Sequence, residues 1–188
     1  MIGKIGLTGQ SNCEKIAAFD MDWTLIKTKT GKVFPRNEFD WQLWHEKVQP
    51  KLRRLHASGF RVVVFTNQGG VYTKKRTLAQ LKTQFCAIQK KLGIPMTFLA
   101  ACGGGNDKFR KPSPAMWRYF CETLNGELCI DKEESFYCGD AAGRPATGTR
   151  KKDHSADDKT YAQTIGLTFH TPESLFLGES EALSTVPV

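Results

Sequence analysis

The pattern Asp20-Met21-Asp22 places two carboxylates two residues apart, directly after the apolar run KIAAF. Side chains at this spacing in an extended chain project from the same face, so the two carboxylates would lie side by side. Like charges this close stay ionised together only beside a cation or hydrogen-bond donors. A hard divalent ion such as Mg²⁺ suits carboxylate oxygens and a phosphate. The same pattern also fits a capped turn after a strand, because Asp favours turns.

Three further polar groups stand next to apolar segments elsewhere in the chain. Thr66-Asn67 follows the run RVVVF and offers a hydroxyl, an amide and backbone N–H groups, which suit phosphate oxygens. Lys111 precedes a helix signal, and its charge could offset that of a transferring phosphoryl group. Gly139-Asp140 adds a third carboxylate after the run SFYC. Each group alone also fits a turn or a solvated loop. Their order along the chain, together with the position of Thr66-Asn67 and Gly139-Asp140 at strand ends, favours one shared site.

Short apolar runs alternate with longer amphipathic segments, and this alternation predicts the elements that must position these groups. We predict strands over 15–20, 61–66, 96–102, 135–139 and 167–170, helices over 44–57, 77–92 and 113–124, and a short helix from Asp157 or Asp158. Residues 24–35 predict a small hairpin or flap with a turn at Gly31. Such an order is typical of an α/β protein with a parallel sheet covered on both faces. Ligands of these sheets bind beyond the carboxyl ends of the strands.

A chain of 188 residues has the usual size of one domain. We expect a single domain over 1–188, with a core at about 15–177 and loosely ordered terminal tails. No apolar run approaches the roughly 20 residues of a membrane span, and the first residues lack the apolar core of a secretory signal. We therefore predict an intracellular protein without a membrane partner. We also predict that its six cysteines are reduced thiols.

The net charge of +8 and the pI near 9.2 favour a polyanionic partner such as nucleic acid. A solvated basic surface without a dedicated partner is the alternative. Basic side chains cluster on loops that follow the strands: Lys74, Lys75, Arg76, Arg110, Arg144, Arg150, Lys151 and Lys152. Three tryptophans, Trp41, Trp44 and Trp117, are candidates for stacking on an exposed base, although the spacing of Trp117 from Phe120 is more typical of a core position.

These motifs resemble those of the haloacid dehalogenase (HAD) superfamily, and more closely those of the polynucleotide kinase 3′-phosphatase family. The superfamily motifs correspond to Asp20-x-Asp22-x-Thr24, Thr66-Asn67, Lys111-Pro112 and Gly139-Asp140. The closer resemblance rests on residues 17–26, 31–35, 63–70, 110–117, 136–145 and 151–158. It implies a HAD-like Rossmannoid three-layer sandwich with a mainly parallel central sheet and only a small flap or cap.

The resemblance also implies a role for each matching position. Asp20 would attack the phosphorus, and Asp22 would protonate the leaving hydroxyl and then activate water. Thr66 and Lys111 would hold the phosphoryl oxygens. Mg²⁺ would be bound by Asp20, by the backbone carbonyl of Asp22 and by Asp140, with support from Asp158. Predicted substrate-binding residues are Thr24, Asn67, Lys75, Arg76, Arg110 and Arg144.

From these roles we expect a Mg²⁺-dependent phosphatase that removes 3′-phosphates from DNA ends during strand-break repair. We expect it to act as a monomer, in the nucleus or the cytoplasm. The loop GRPATGT at 143–149 lacks the Gly-Lys-Ser/Thr ending of a kinase phosphate-binding loop, so we predict no kinase domain in this chain. The alternatives are a HAD phosphatase for a sugar or histidinol phosphate and a non-catalytic module that binds DNA ends.

The first motif departs from the superfamily at Trp23, where related proteins usually have Gly. If this position requires a positive φ, a tryptophan there would be strained.

Overall fold

A six-stranded sheet forms the centre of the molecule in this computed structural model, which describes residues 2–5, 12–148 and 150–179, the first of these ranges by its backbone alone. The strands are β1 (Ile2–Ile5), β2 (Ile16–Phe19), β5 (Arg61–Asn67), β6 (Thr97–Ala101), β7 (Phe136–Cys138) and β8 (Thr168–His170). Their order across the sheet is β1-β6-β5-β2-β7-β8. All neighbours pair in parallel except β1, which runs antiparallel to β6.

Helices cover both faces of this sheet. They are α1 (Val48–Ala57), α2 (Leu78–Leu92), α3 (Ala115–Tyr119), which continues into a π-helical turn (Phe120–Leu124), α4 (Asp157–Ile165) and a final π-helical turn (Glu173–Leu177). Along β5, Val62 and Val64 pack with α1 and α2, whereas Val63 and Phe65 pack with α3 and α4. Because both faces are covered, the strand is apolar without alternation. The predicted three-layer α/β fold is confirmed.

The ends of α2 follow the predicted range closely. Thr77 is its N-cap: the Thr77 hydroxyl accepts from the Gln80 backbone, and the Gln80 side chain accepts from the Thr77 backbone. Gly93 ends the helix with φ of 73°, a conformation that glycine adopts without strain. The first predicted helix begins later than expected, at Val48 rather than at residue 44. Pro50 lacks an N–H group, so it is tolerated in the first turn of α1 but not further along.

A two-stranded sheet forms the flap, which is larger than the sequence predicts. Its strands are β3 (Ile26–Lys27) and β4 (Gln42–Leu43), so the second strand lies beyond the predicted range of 24–35. The buried Asp40 carboxylate ties the intervening loop together. It accepts hydrogen bonds from the backbone and hydroxyl of Thr30, at 3.1 and 2.9 Å, and from the backbone of Arg36 at 2.9 Å.

The two ends of the chain are described to different extents. Within the predicted N-terminal tail, Ile2–Ile5 pair with the outer edge of β6 as β1. The predicted C-terminal tail, from residue 179 onward, lies almost entirely outside the described residues, which end at 179. No helix in the described ranges is both long and apolar enough to span a bilayer.

Candidate active site

The central strands bring the polar groups of the sequence motifs to one edge of the sheet. Phe19 of β2 stands level with Val64 of β5 and with Cys138 of β7, so these parallel strands end side by side. The Asp20 backbone N–H donates to the Cys138 carbonyl at 2.8 Å and continues the ladder by one residue. Asp20 and Asp140 therefore leave neighbouring strands at the same edge.

Lys111 is the buried cation at the centre of this edge, with 3% of its surface exposed. Its Nζ donates to Asp20 Oδ1 at 2.6 Å, to Asp158 Oδ1 at 2.7 Å and to the Tyr137 hydroxyl at 2.8 Å. An ammonium group has three donors, so all of them are used. Burial lowers the pKa of Lys111, but the charges of Asp158 and Asp20 outweigh burial and raise it above its usual value. Lys111 is therefore a permanent positive charge beside Asp20.

Three carboxylates, from Asp20, Asp140 and Asp158, lie close enough for their oxygens to fall within 4.8 Å of one another. Burial, together with the neighbouring carboxylates, raises the pKa of Asp140 to about 8. Burial also raises the pKa of Asp20, to about 7, although Lys111 opposes the shift. One lysine thus does not balance the cluster. A divalent cation held by three carboxylates would remove this repulsion, so the residues fit such an ion.

Asp158 approaches this cluster because Gly139 leaves room for it. A Cβ atom at Gly139 would lie only 2.4 Å from Asp158 Cγ. The second carboxylate oxygen of Asp158 accepts from the Ala141 backbone at 3.0 Å, and Asp158 Oδ1 also accepts from the Tyr137 hydroxyl at 2.9 Å. The glycine of the Gly139-Asp140 motif is therefore a steric requirement for the acidic cluster.

The Asp22 carboxylate lies outside this group of three and is held by Gln68, which the sequence analysis did not single out. Gln68 Nε2 donates to Asp22 Oδ2 at 2.8 Å and to Thr66 Oγ1 at 2.9 Å. Arg76 donates to Gln68 Oε1 at 3.0 Å, which fixes the orientation of the amide. Because the Thr66 oxygen accepts from Gln68, the Thr66 hydroxyl hydrogen remains available to a phosphoryl oxygen.

Trp23 adopts the strained conformation that the sequence analysis considered. Its φ is 62°, in the left-handed region, and its backbone N–H donates to the Ile26 carbonyl at 2.7 Å. Such a conformation costs a non-glycine residue about 1–2 kcal/mol. The tight turn that directs the chain from Asp22 into β3 therefore imposes the conformation despite the tryptophan.

Three of the predicted substrate-binding residues are engaged in hydrogen bonds within the protein, and a fourth, Thr24, has a hydroxyl oxygen without a hydrogen-bond partner among the described residues. Thr24 is fully buried. The Asn67 amide pairs with the Lys111 backbone, accepting at 2.9 Å and donating at 3.2 Å. Arg76 donates to Gln68 and to Gln84. These contacts make Asn67 and Arg76 positioning residues in this structure, because their polar atoms orient Lys111 and Gln68.

Arg144 likewise braces the loop that follows β7. Its guanidinium bonds Asp153 at 2.8 and 3.2 Å, Glu173 at 2.9 Å and the Asp140 carbonyl at 3.3 Å. Lys75 is exposed and Arg110 is half-buried. Of the predicted substrate contacts, Lys75 and Arg110 therefore remain as candidates to meet a ligand at the rim.

The chain has the α/β fold of HAD-like phosphatases. The chain superimposes on the D,D-heptose 1,7-bisphosphate phosphatase of B. bronchiseptica, solved with magnesium and phosphate, with a TM-score of 0.64. The two share 17% sequence identity, and the match covers 90% of this chain and 89% of the other.

Within this class, the chain belongs to the polynucleotide kinase 3 phosphatase family, whose sequence model matches residues 15–176. It is 41% identical over 167 residues to a bifunctional polynucleotide phosphatase/kinase of Schizosaccharomyces pombe, covering 89% of this chain and 38% of the relative. It is 34% identical over 189 residues to the polynucleotide 3′-phosphatase ZDP of Arabidopsis thaliana, covering 94% of this chain and 26% of the relative. The chain thus spans well under half the length of these two relatives.

Proposed function

We propose that this chain is a polynucleotide 3′-phosphatase that hydrolyses 3′-phosphates at DNA ends through a phospho-aspartyl intermediate. The observation that carries the proposal is the contact of Asp20 with the buried Lys111, beside an acidic cluster at the edge of the sheet. The membership of the chain in its family and the names of its relatives support a polynucleotide as the substrate. The net charge of +8 favours the same polyanion.

Each motif residue has a part in the proposed reaction. An Asp20 oxygen forms a bond to phosphorus while the bond from phosphorus to the 3′-oxygen breaks, and Asp22 gives its proton to that oxygen. The Asp22 carboxylate then takes a proton from water, which attacks the phospho-aspartate and releases inorganic phosphate and free Asp20. Lys111 and the Thr66 hydroxyl stabilise the phosphoryl oxygens throughout.

We propose Mg²⁺ as the ion that the carboxylates of Asp20, Asp140 and Asp158 would hold, since all three offer hard oxygen ligands. When bound, such an ion neutralises negative charge on the carboxylates and on the phosphate. This assignment gives Asp158 a larger part than the sequence analysis did. The side chain of Asp22 instead faces Gln68, which leaves it available for proton transfer.

A substrate comparison tests the proposed function. The enzyme would be assayed with Mg²⁺ on a 3′-phosphorylated oligonucleotide, a 5′-phosphorylated oligonucleotide of the same sequence, histidinol phosphate and sugar phosphates. We expect a higher kcat/KM for the 3′-phosphorylated oligonucleotide than for any other compound. A preference for a small phosphate would overturn the nucleic-acid assignment and support a small-molecule phosphatase. Binding of DNA ends without hydrolysis of any substrate would instead support the non-catalytic module.

The acidic cluster predicts that the metal-free protein loses stability as the pH rises. Burial and mutual repulsion raise the pKa values of Asp140 to about 8 and Asp20 to about 7. Between the ordinary carboxyl pKa and these values the folded state binds more protons than the unfolded state, so stability is greatest on the acid side and is lost as the pH passes through about 7–8. One pKa unit corresponds to ~1.4 kcal/mol. In a domain of this size we therefore expect a melting temperature at least about 3 °C higher near pH 6 than near pH 9.

Thermal denaturation in EDTA measures this difference. The variant Asp140→Asn, which removes one charge from the cluster, should show a flatter profile than the wild type. Added Mg²⁺ should stabilise the wild type more near pH 9 than near pH 6, because protons compete with the metal. A wild-type profile in EDTA as flat as that of Asp140→Asn would contradict the proposed repulsion.

Gln68 should act as a positioning residue for Asp22 and Thr66. In Gln68→Leu both donors are lost, and we expect kcat to fall by about 10- to 100-fold, since small displacements of catalytic groups have effects of this size. Burial raises the pKa of Asp22, while the Gln68 hydrogen bond lowers it. The pKa of Asp22 should therefore rise further in the variant, and the corresponding limb of the kcat–pH profile should move to higher pH.

Gln84→Leu is the matched control, because Gln84 also bonds Arg76 but does not contact Asp22. Its kcat should change far less, and its pH profile should stay in place. An unshifted profile for Gln68→Leu would mean that this amide supports the fold without orienting Asp22.

A further inference from the structure

The tryptophans that the sequence offered for base stacking do not form an open platform in the structure. Trp117 is 7% exposed and packs with Phe65 and Phe120. Trp41 and Trp44 pack against the core on the α1 and α2 side of the sheet. A different aromatic residue, Tyr72, is 67% exposed on the loop that leaves the carboxyl end of β5.

Tyr72 lies against a glycine-rich loop that leaves the neighbouring strand β6. A Cβ atom at Gly104 would lie 3.0 Å from Tyr72 Cε1 and 3.3 Å from two further ring atoms. The ring therefore packs directly on the Gly104 backbone, while two thirds of the residue stays open to solvent. Together they border an open pocket of about 350 Å³, lined by Tyr72, Gly104, Gly105, Asn106 and Asp107.

Internal hydrogen bonds hold both loops in shape. In the glycine-rich loop, the Asp107 carboxylate accepts from the backbone of Gly103 at 2.8 Å and of Phe109 at 3.0 Å. In the Tyr72 loop, the Lys75 backbone donates to the Gly70 carbonyl at 2.9 Å. The aromatic surface is thus presented by two braced loops, so binding would require little ordering.

Several basic residues lie around this pocket, while the Asp107 carboxylate in its lining is held by backbone N–H groups. Lys74 and Lys75 are exposed beside Tyr72, and Lys108 is exposed on the facing loop. Arg110 Nη1 lies 3.7 Å from the position of a Cβ atom at Gly69, so the Arg110 side chain lies between the two loops. Bases stack on aromatic rings whatever their sequence, while lysine and arginine bind the phosphates between them.

The pocket lies on the same edge of the sheet as Asp20. The order β6-β5-β2 places the loops after β5 and β6 one and two strands away from Asp20. Neighbouring strands are about 4.8 Å apart, so the ends of β5 and β6, from which these two loops leave, lie roughly 5–10 Å from the end of β2. A nucleic-acid strand whose 3′-phosphate reaches Asp20 would therefore have its preceding nucleotides near Tyr72.

We propose that Tyr72, supported by Gly104, is a stacking platform for a base that precedes the terminal nucleotide of the substrate strand. Lys75 and Arg110 contact the phosphates on either side of that base. This inference rests on the proposed polynucleotide 3′-phosphatase function and adds to it a subsite that binds single-stranded nucleic acid without sequence preference.

The test compares two substrates: a 3′-phosphorylated tetranucleotide and a nucleoside 3′-monophosphate, which is too short to reach the ring. In Tyr72→Ala, the ratio of kcat/KM for the tetranucleotide to that for the mononucleotide should fall by about tenfold, through KM, because stacking on a base is lost. Tyr72→Phe should keep the wild-type ratio. Gly104→Ala should lower the ratio, since its Cβ atom crowds the ring.

Substrates with one abasic position locate the contact. At one of the positions that precede the terminal nucleotide, loss of the base should lower the kcat/KM of the wild type to that of Tyr72→Ala. The same loss should leave the kcat/KM of Tyr72→Ala almost unchanged. Leu128→Ala is the control: Leu128 is an exposed apolar residue next to Asn125, which contacts Arg61 at the opposite edge of the sheet. Its ratio should equal that of the wild type.

The outcomes separate this inference from the proposed function. A wild type that prefers the tetranucleotide, combined with an unchanged ratio in Tyr72→Ala, overturns the platform and leaves the phosphatase assignment standing. If each abasic position lowers kcat/KM equally for the wild type and for Tyr72→Ala, the platform is likewise overturned and the phosphatase assignment stands. A wild type without preference for the tetranucleotide over the mononucleotide overturns the platform. If the wild type also prefers histidinol phosphate or a sugar phosphate to the 3′-phosphorylated oligonucleotide, the proposed function is overturned as well.

Discussion

Asp20→Asn should abolish turnover, with a loss in kcat of roughly 10⁴-fold or more, as expected when a covalent nucleophile is removed. The amide has the same shape as the carboxylate but cannot attack phosphorus. The fold should survive, because the substitution removes one charge from a buried cluster whose repulsion helps to raise the pKa of Asp140 to about 8. The measurement is hydrolysis of a 3′-phosphorylated oligonucleotide with Mg²⁺, together with trapping of labelled phosphate on the denatured enzyme.

Asp157→Asn is the matched control for this prediction. Asp157 stands next to Asp158 at the start of α4 but is not one of the three clustered carboxylates. It should keep both turnover and the trapped phospho-enzyme. Normal turnover in Asp20→Asn, or labelled phosphate on that variant, would exclude Asp20 as the nucleophile.

The strands and the acidic positions could be predicted because they depend on local sequence alone. Residues 62–65 are apolar without alternation, which indicates a strand covered on both faces. Asp20, Thr66 and Asp140 stand at the ends of such runs, and parallel strands bring their carboxyl ends to one edge. The rule therefore places these residues together without any knowledge of the loops.

The contacts that orient the catalytic groups depend on the loops, and for that reason they could not be predicted. Gln68 reaches Asp22 only because the chain turns back after β5 and brings Arg76 behind the amide. Tyr137 appeared as one more apolar strand residue, yet its hydroxyl meets Lys111 and Asp158. The one available signal for Gln68 was its position directly after the Thr66-Asn67 motif.

The basic residues show the same limit. Arg144 and Lys75 are equally positive in sequence, but Asp153 and Glu173 engage the first, whereas the second is exposed. Charge alone predicts attraction to a polyanion. Which cations are free to meet it depends on the acidic partners that the fold places beside each one.

Lys111→Met should damage both activity and stability. The ammonium group pairs with both Asp20 and Asp158 in the interior. Without it two buried carboxylates lack their cation, which typically costs about 3–5 kcal/mol. Burial already raises the pKa of Asp20, while the charge of Lys111 lowers it. Without Lys111 the pKa of Asp20 should therefore rise further. We expect a fall in kcat of roughly 10³-fold, as for other groups that stabilise transition-state charge.

Unfolding by urea in EDTA measures the loss of stability, and turnover with Mg²⁺ measures the loss of activity. A second substitution should affect these two losses differently. In Lys111→Met combined with Asp158→Asn, one uncompensated carboxylate is gone, so much of the lost stability should return. Turnover should stay low, because no cation replaces Lys111 beside the phosphoryl group and because Asp158 is itself a proposed Mg²⁺ ligand. Recovery of both quantities in the double variant would mean that Lys111 serves the fold alone. Recovery of stability without turnover would show that the lost stability comes from uncompensated buried carboxylates, and that turnover needs more than a stable fold.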